Sequence, residues 1–107
     1  MKRMPTLSDV LASHARLKPD AIGVRDSRRE MSFSAWNNRA SRLANGLLAL
    51  GLRKGDRVAV LAFNCVEWME IYAAMARAGL VVVPINFRLT APEVAYILGD
   101  AEARCVI

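Results

Sequence analysis

The chain has 107 residues, of which 54% are hydrophobic and 23% charged, proportions typical of a folded globular domain rather than a disordered segment. The formal net charge is +5, but the basic residues are dispersed and sit beside acids, as in Arg25-Asp26 and Asp56-Arg57, which argues against a nucleic-acid-binding role. No apolar run approaches the length of a membrane span, and the N-terminus lacks the apolar core of a signal peptide.

The first half of the chain predicts a helix, a hairpin and a second helix. Residues 6–18 favour a helix with Thr6 as its N-cap and Leu7, Val10, Leu11 and Leu17 on one side. Segments 21–25 and 30–33, joined by four residues, predict a small β-hairpin. Ser34 is expected to cap a long amphipathic helix that ends at Gly51. The apolar residues of that helix recur at spacings of three and four: Trp36, Ala40, Leu43, Leu47 and Leu50.

Residues 57–107 alternate between strand and helix patterns. Near-continuous apolar runs at 57–62, 80–85 and 104–107 predict three buried strands. The β-α-β-α-β order indicates an α/β fold with a partial Rossmann-like parallel sheet, covered on both faces. With the preceding helix, hairpin and helix of residues 1–56, it is expected to form one domain over 1–107.

The two helices between these strands carry local start signals. Asn64 and Glu67 resemble a capping pair that opens a helix running to Gly79. Thr90 with Glu93, and proline in the first turn, opens a second helix that closes at Gly99.

Candidate ligand-binding residues follow the predicted strands. In a parallel sheet, ligands bind beyond the carboxyl ends of the strands, near helix N-termini. Asn64, Asn86 and Arg88 are expected at that edge. A guanidinium there can bind phosphate or carboxylate through paired hydrogen bonds. The alternatives are a solvated loop arginine at Arg88 and a purely structural cap at Asn64.

Other reactive residue types have simpler interpretations. His14, the only histidine, is expected to be a surface or half-buried residue, and residues 51–56 a turn rather than a phosphate loop. Cys65 and Cys105 lack zinc or redox spacing and predict reduced, buried thiols of a cytoplasmic protein. Core packing is expected for the remaining large side chains at helical spacing: Trp36, Trp68, Met69 and Tyr72. The pattern identifies no catalytic nucleophile, general base or metal site.

Three segments resemble the N-terminal portion of the adenylate-forming, AMP-binding superfamily, and most closely its acyl-CoA synthetases. MSFSAW at 31–36 is similar to an early family segment, with Trp36 replacing the usual leucine. LGLRKGDRVAVLAFNCVEW at 50–68 resembles the entry to a family strand and the following helix. ARAGLVVVPINFRLTAPEVAYIL at 76–98 resembles the most specific block, Ala-Gly-x-x-x-x-Pro-x-Asn-x-Arg-Leu-Thr-x-x-Glu.

The resemblance implies an activity for the full-length family enzyme. With ATP, Mg and CoA, that enzyme converts a small carboxylic acid to an acyl-adenylate and pyrophosphate, then to acyl-CoA and AMP. The family's phosphate loop, its adenylate-binding motifs and its C-terminal lysine are not in these 107 residues. The chain alone is therefore expected to be inactive, with no catalytic residue and no bound cofactor. By resemblance, Arg88 corresponds to an arginine near the CoA phosphates.

The chain ends within a predicted strand, after residue 104, which favours the N-terminal subdomain of a larger AMP-binding domain over a domain with a short final strand. Two other functions remain open. One is an adenylation domain that loads a carrier protein, although asparagine at residue 86 favours a CoA ligase. The other is a non-catalytic α/β interaction module that forms a homodimer or associates through its exposed sheet edge.

Overall fold

A computed structural model describes residues 4–107. Its helices are α1 (Leu7–Leu17), α2 (Phe33–Ala49), α3 (Glu67–Ala78) and α4 (Ala91–Asp100). Its strands are β1 (Ile22–Arg25), β2 (Glu30–Ser32), β3 (Arg57–Leu61), β4 (Val81–Ile85) and β5 (Cys105–Val106). The predicted α/β fold, with a helix, a hairpin and a long helix before a β-α-β-α-β unit, is confirmed.

Helix α1 begins at the predicted N-cap, Thr6, which forms a capping box with Asp9. The Thr6 hydroxyl accepts a hydrogen bond from the Asp9 amide at 3.3 Å, and the Asp9 carboxylate accepts one from the Thr6 amide at 2.8 Å. Leu11 is 1% exposed in a cluster with Trp36. The other residues predicted on the same side as Leu11 are exposed, at 39% for Leu7, 45% for Val10 and 69% for Leu17, so only one of the four is buried.

The start of α2 differs from the prediction. Ser32, not Ser34, is the N-cap, and its hydroxyl accepts a hydrogen bond from the Ala35 amide at 3.1 Å. Strand β2 runs directly into α2, and the Ser34 amide instead donates to the Pro19 carbonyl. Leu50 was expected to face the core but is 73% exposed. Leu50 is the C-cap of α2, one residue beyond the last helical residue, so its side chain does not extend the buried face of the helix.

The three-stranded sheet is parallel, with the order β4-β3-β5. The central strand is the most buried, and Val58, Ala59 and Val60 are each 0% exposed. Val58 and Val60 pack in one core cluster with residues of α2 and α3, including Leu47 and Met75. The sheet was expected to be covered on both faces, but this cover is incomplete. Val81 of β4 is 46% exposed, and no residue of α4 is buried.

Local sequence signals correctly predict the C-terminal end of α3 and the start of α4. Gly79 caps α3 at a φ of +75°, a conformation that glycine adopts without steric cost. Thr90 and Glu93 form the predicted capping box of α4. Helix α4 continues one residue past Gly99, to Asp100.

β4 and β5 are the two edges of the described sheet, and their pairing with another chain stays a prediction.

Arg77 of α3 connects this helix to α1 and α2. Its Nε donates to the Ser8 hydroxyl at 2.8 Å, on α1. Its Nη1 donates to the Ser41 hydroxyl at 2.7 Å, and its Nη2 to the Asn37 side-chain oxygen at 2.9 Å, both on α2. Because a guanidinium has five N–H donors in a fixed plane, one residue of α3 can orient both other helices.

Replacing Arg77 with methionine keeps much of the aliphatic stem but removes every donor. We expect Arg77→Met to lower the free energy of unfolding by about 1–3 kcal/mol, because half-buried acceptors on α1 and α2 lose their partner. Urea denaturation measures this change. The control is Arg42→Met on the exposed side of α2, expected to stay within about 0.5 kcal/mol of the parent. Equal effects of the two variants would contradict the role of Arg77.

Candidate functional site

A cleft lies at the carboxyl edge of β3 and β4. These strands are parallel and in register, with Leu61 opposite Ile85, so the loops that follow them emerge side by side. The cleft between the loops has a volume of about 420 Å³. Its lining residues are Ala62, Asn64, Cys65, Trp68, Tyr72, Pro84, Ile85, Asn86 and Phe87. The structure therefore brings Asn64 and Asn86 together, as the parallel sheet predicts.

Arg88 lies at the rim of this cleft rather than in its lining. The Asn86 side-chain oxygen accepts a hydrogen bond from the Arg88 amide at 2.9 Å, which shapes the loop. The Arg88 guanidinium carbon is 5.5 Å from the centroid of the Phe87 ring, a distance at which a cation and an aromatic face attract each other. Arg88 is exposed and has no ion-pair partner among residues 4–107. Its charge is therefore available to an anion.

Asn64 does not cap α3, contrary to the prediction. Val66 occupies the N-cap position, and its side chain has no hydrogen-bonding atom. Asn64 lies two residues earlier and is exposed, outside the position from which a side chain reaches the first turn. The Val66 amide instead donates to Oδ2 of Asp26, in the loop between β1 and β2, at 3.0 Å.

Asp26 and Arg29 of the hairpin loop contact the start of α3, a contact that the sequence does not predict. Oδ1 of Asp26 accepts hydrogen bonds from the Arg28 and Arg29 amides, each at 2.7 Å. These bonds hold the pKa of the Asp26 carboxyl below its usual value. Arg29 forms an ion pair with Glu67, and its hydrogen bond lowers the pKa of the Glu67 carboxyl. An aspartate at the start of a turn is a signal for loop geometry, but not for a contact 40 residues away.

Aromatic side chains form much of the cleft wall. Trp68 and Tyr72 were expected in the core, but both are half-buried and line the cleft. The Trp68 indole donates to the Phe63 carbonyl at 3.0 Å, and its ring centroid lies 5.6 Å from that of Tyr72. Phe63 and Phe87 contact each other across the two loops, at 4.6 Å between centroids. Of the other predicted core residues, Trp36 is buried and Met69 half-buried.

The two cysteines are free and half-buried, rather than fully buried as predicted. Cys65 lies in the cleft wall. Burial and a hydrogen bond with Glu67 raise the pKa of its thiol, so the thiol is protonated near neutral pH and is a weak nucleophile. His14 is half-buried, as predicted, and stacks on Phe33 with 5.0 Å between ring centroids.

Comparison with known proteins decides the family. Residues 11–107 match the family model described as AMP-binding enzyme. The chain belongs to this family. The match confirms the resemblance seen in the sequence and includes both loops of the cleft.

Members of the family with related sequences and structures differ in their acceptors. The chain is 43% identical over 93 residues to a feruloyl-CoA synthase of Amycolatopsis sp, covering 87% of this chain and 19% of that protein. It is 37% identical over 102 residues to the fatty acid–[acyl-carrier-protein] ligase ScoC of Streptomyces coeruleorubidus, covering 95% and 20%. The inhibitor-bound N-terminal domain of FACL13 from Mycobacterium tuberculosis superposes with a TM-score of 0.90 at 38% identity, covering 96% of this chain and 26% of that one.

The chain thus spans about a fifth of the length of the curated relatives it matches. Among residues 4–107, no helix combines the length and apolar character needed to cross a membrane.

The carboxyl of Glu93, in the first turn of α4, makes the stability of the fold depend on pH. Its Oε1 accepts hydrogen bonds from the Thr90 amide at 3.0 Å and hydroxyl at 2.9 Å, and these bonds hold the pKa of the Glu93 carboxyl below its usual 4.5. Because the folded pKa is depressed, the stabilisation is complete well above pH 4.5 and is lost as the pH falls through the lower, folded value.

We expect Glu93→Gln to flatten the dependence of unfolding free energy on pH between 4.5 and the lower pKa of the folded carboxyl, since glutamine keeps a capping oxygen but does not titrate. Urea denaturation of both proteins across the acid range measures the two slopes. Parallel curves would show that the Glu93 carboxylate does not contribute in this way.

Proposed function

We propose that the chain is the N-terminal subdomain, residues 1–107, of an ATP-dependent acyl-CoA synthetase. In the complete protein, a small carboxylic acid and ATP react to give an acyl-adenylate and pyrophosphate, and the acyl group then passes to CoA with release of AMP. Mg would accompany the ATP. The cytoplasm is the proposed location. The observation that carries the proposal is the match of nearly the whole chain to one quarter of an N-terminal domain of a named family member.

The 107-residue chain is proposed to be inactive by itself. The cleft wall contains aromatic rings, amides and one protonated thiol, and these groups supply neither a strong nucleophile nor a general base near neutral pH. Purified chain incubated with ATP, Mg and a panel of fatty and aromatic acids should release no pyrophosphate. A longer reading frame that contains the chain should show acid-dependent exchange of pyrophosphate into ATP. Turnover by the short chain, or no exchange by the long one, would refute the proposal.

Arg88 is proposed to bind a phosphate of CoA in the complete enzyme. Three properties support this role. The guanidinium is exposed, it has no ion-pair partner among residues 4–107, and the Phe87 ring restrains it at the cleft rim. An arginine whose position is restrained loses less entropy when it forms paired hydrogen bonds to phosphate.

Exchange of pyrophosphate into ATP requires no CoA, so this assay measures acyl-adenylate formation separately from transfer of the acyl group to CoA. In the complete enzyme, we expect Arg88→Ala to raise the KM for CoA about tenfold or more, the usual cost of losing a hydrogen bond to a charged group. The exchange rate should stay within about twofold. The control is Arg53→Ala, an exposed arginine in the turn before β3, at the opposite end of the strand. An unchanged KM for CoA, or a matching rise for the control, would argue against the assignment.

A carrier protein is the second candidate acceptor, because the chain is similar over 95% of its length to a fatty acid–[acyl-carrier-protein] ligase. Offering the complete enzyme equal concentrations of CoA and a phosphopantetheinylated carrier protein discriminates the two. Preferential formation of acyl-CoA supports the main proposal, whereas preferential loading of the carrier protein replaces it with this second one.

A further inference from the structure

Helix α3 begins without a cap from its own segment. The first amides of a helix have no partner within the helix, and a side-chain acceptor at the N-cap usually satisfies one of them. Val66 cannot provide one. Oδ2 of Asp26 contacts the same turn from the hairpin loop and accepts from the Val66 amide at 3.0 Å. The negative carboxylate also lies where the helix dipole favours an anion.

A second contact joins the same two segments. Arg29 forms an ion pair with Glu67, the first residue of α3, and its Nη2 donates to Oε2 of Glu67 at 2.7 Å. Asp26 and Cys65 line one shared crevice of about 400 Å³ between the hairpin and α3. The hairpin loop therefore contacts two consecutive residues, Val66 and Glu67, through two independent polar interactions.

The Asp26 carboxylate is already oriented by its own loop. Its Oδ1 accepts from the Arg28 and Arg29 amides, while Oδ2 is directed to Val66. Because one oxygen fixes the loop and the other fixes the helix, the side chain transmits the position of the hairpin to α3. Helix α3 in turn carries Trp68 and Tyr72 of the cleft wall.

We infer that Asp26 is a positioning residue for the cleft, holding the first turn of α3, and with it Cys65 and Trp68, opposite Asn86 and Phe87. The inference deepens the proposed function and rests on it only for the identity of the ligand. A chain that did not bind CoA would still have a cleft whose wall is fixed in this way.

The variant Asp26→Asn separates the two roles of the carboxylate. Asp26→Asn keeps one oxygen, which can still accept from the loop amides, but its NH₂ group then faces the Val66 amide, so that two donors meet. The matched control is Glu30→Gln, which removes the same charge from the same hairpin. Glu30 is paired with Arg25, within the hairpin, at 2.8 Å.

The reactivity of the Cys65 thiol reports the opening of this turn without any need for turnover. In a Cys105→Ala background, Cys65 is the only thiol. Its labelling by a disulfide reagent is followed at several pH values, so that rates can be corrected for the thiolate fraction. We expect Asp26→Asn to increase the corrected rate about five- to tenfold, as the loss of one hydrogen bond predicts. Glu30→Gln should change it by less than about twofold.

The reciprocal background, Cys65→Ala, reports the rest of the fold through Cys105 in β5. Asp26→Asn should leave Cys105 labelling within about twofold of the parent. Equal acceleration at both thiols would indicate general loss of stability and overturn the inference, as would an unchanged rate at Cys65. If Asp26→Asn does not fold, Asp26→Ser against Glu30→Ser is the deciding pair, because a serine hydroxyl can still accept from the loop amides but provides no second oxygen for the Val66 amide. Selective acceleration at Cys65 by Asp26→Ser supports positioning by Asp26, and its absence refutes it.

Discussion

The complete burial of β3 is the constraint on which the rest of the structure depends. Three consecutive residues, Val58, Ala59 and Val60, are fully buried although side chains alternate between the faces of a strand. The faces of β3 are covered by packed side chains, and its backbone is paired along both edges, with β4 on one side and β5 on the other. The parallel register with β4 then places both following loops at one edge. The position of the cleft is thus a consequence of apolar burial several residues away from it.

Sequence predicts the features of this chain that depend on near neighbours. Thr6 with Asp9, and Thr90 with Glu93, are separated by three residues, and both form the capping boxes that this spacing indicates. The three parallel strands follow equally well from their apolar runs. The prediction that Asn64 caps α3 is wrong for a physical reason. The acceptor for the start of α3 comes from Asp26, 40 residues before Val66. Only the folded arrangement brings a hairpin loop to that helix.

Periodicity also identifies which residues share a helix face, but not what covers that face. Trp68 and Tyr72 lie on one side of α3, as their spacing predicts, and Trp68 does pack against the core. Both rings nevertheless line an open cleft, whose other lining residues come from the end of β4 and from the loops that follow β3 and β4. A ring that contacts the core on one side and a cavity on the other has the pattern of a core residue. The aromatic wall was therefore not predictable from spacing alone.

The arginines show how a binding residue differs from a structural one in a basic chain. Arg25, Arg29 and Arg39 are paired with Glu30, Glu67 and Glu70, respectively. Arg77 is saturated by neutral acceptors on two helices, and its donors are committed to packing. Arg88 has neither kind of partner among residues 4–107; it contacts only the face of Phe87 among the rings described. An aromatic face restrains a guanidinium while leaving its hydrogen-bond donors free. Arg88 is thus the candidate for anion binding because its N–H donors have no acceptor among residues 4–107. Its positive charge lies at the site independently of the ion pair between Arg29 and Glu67 that joins the hairpin to α3.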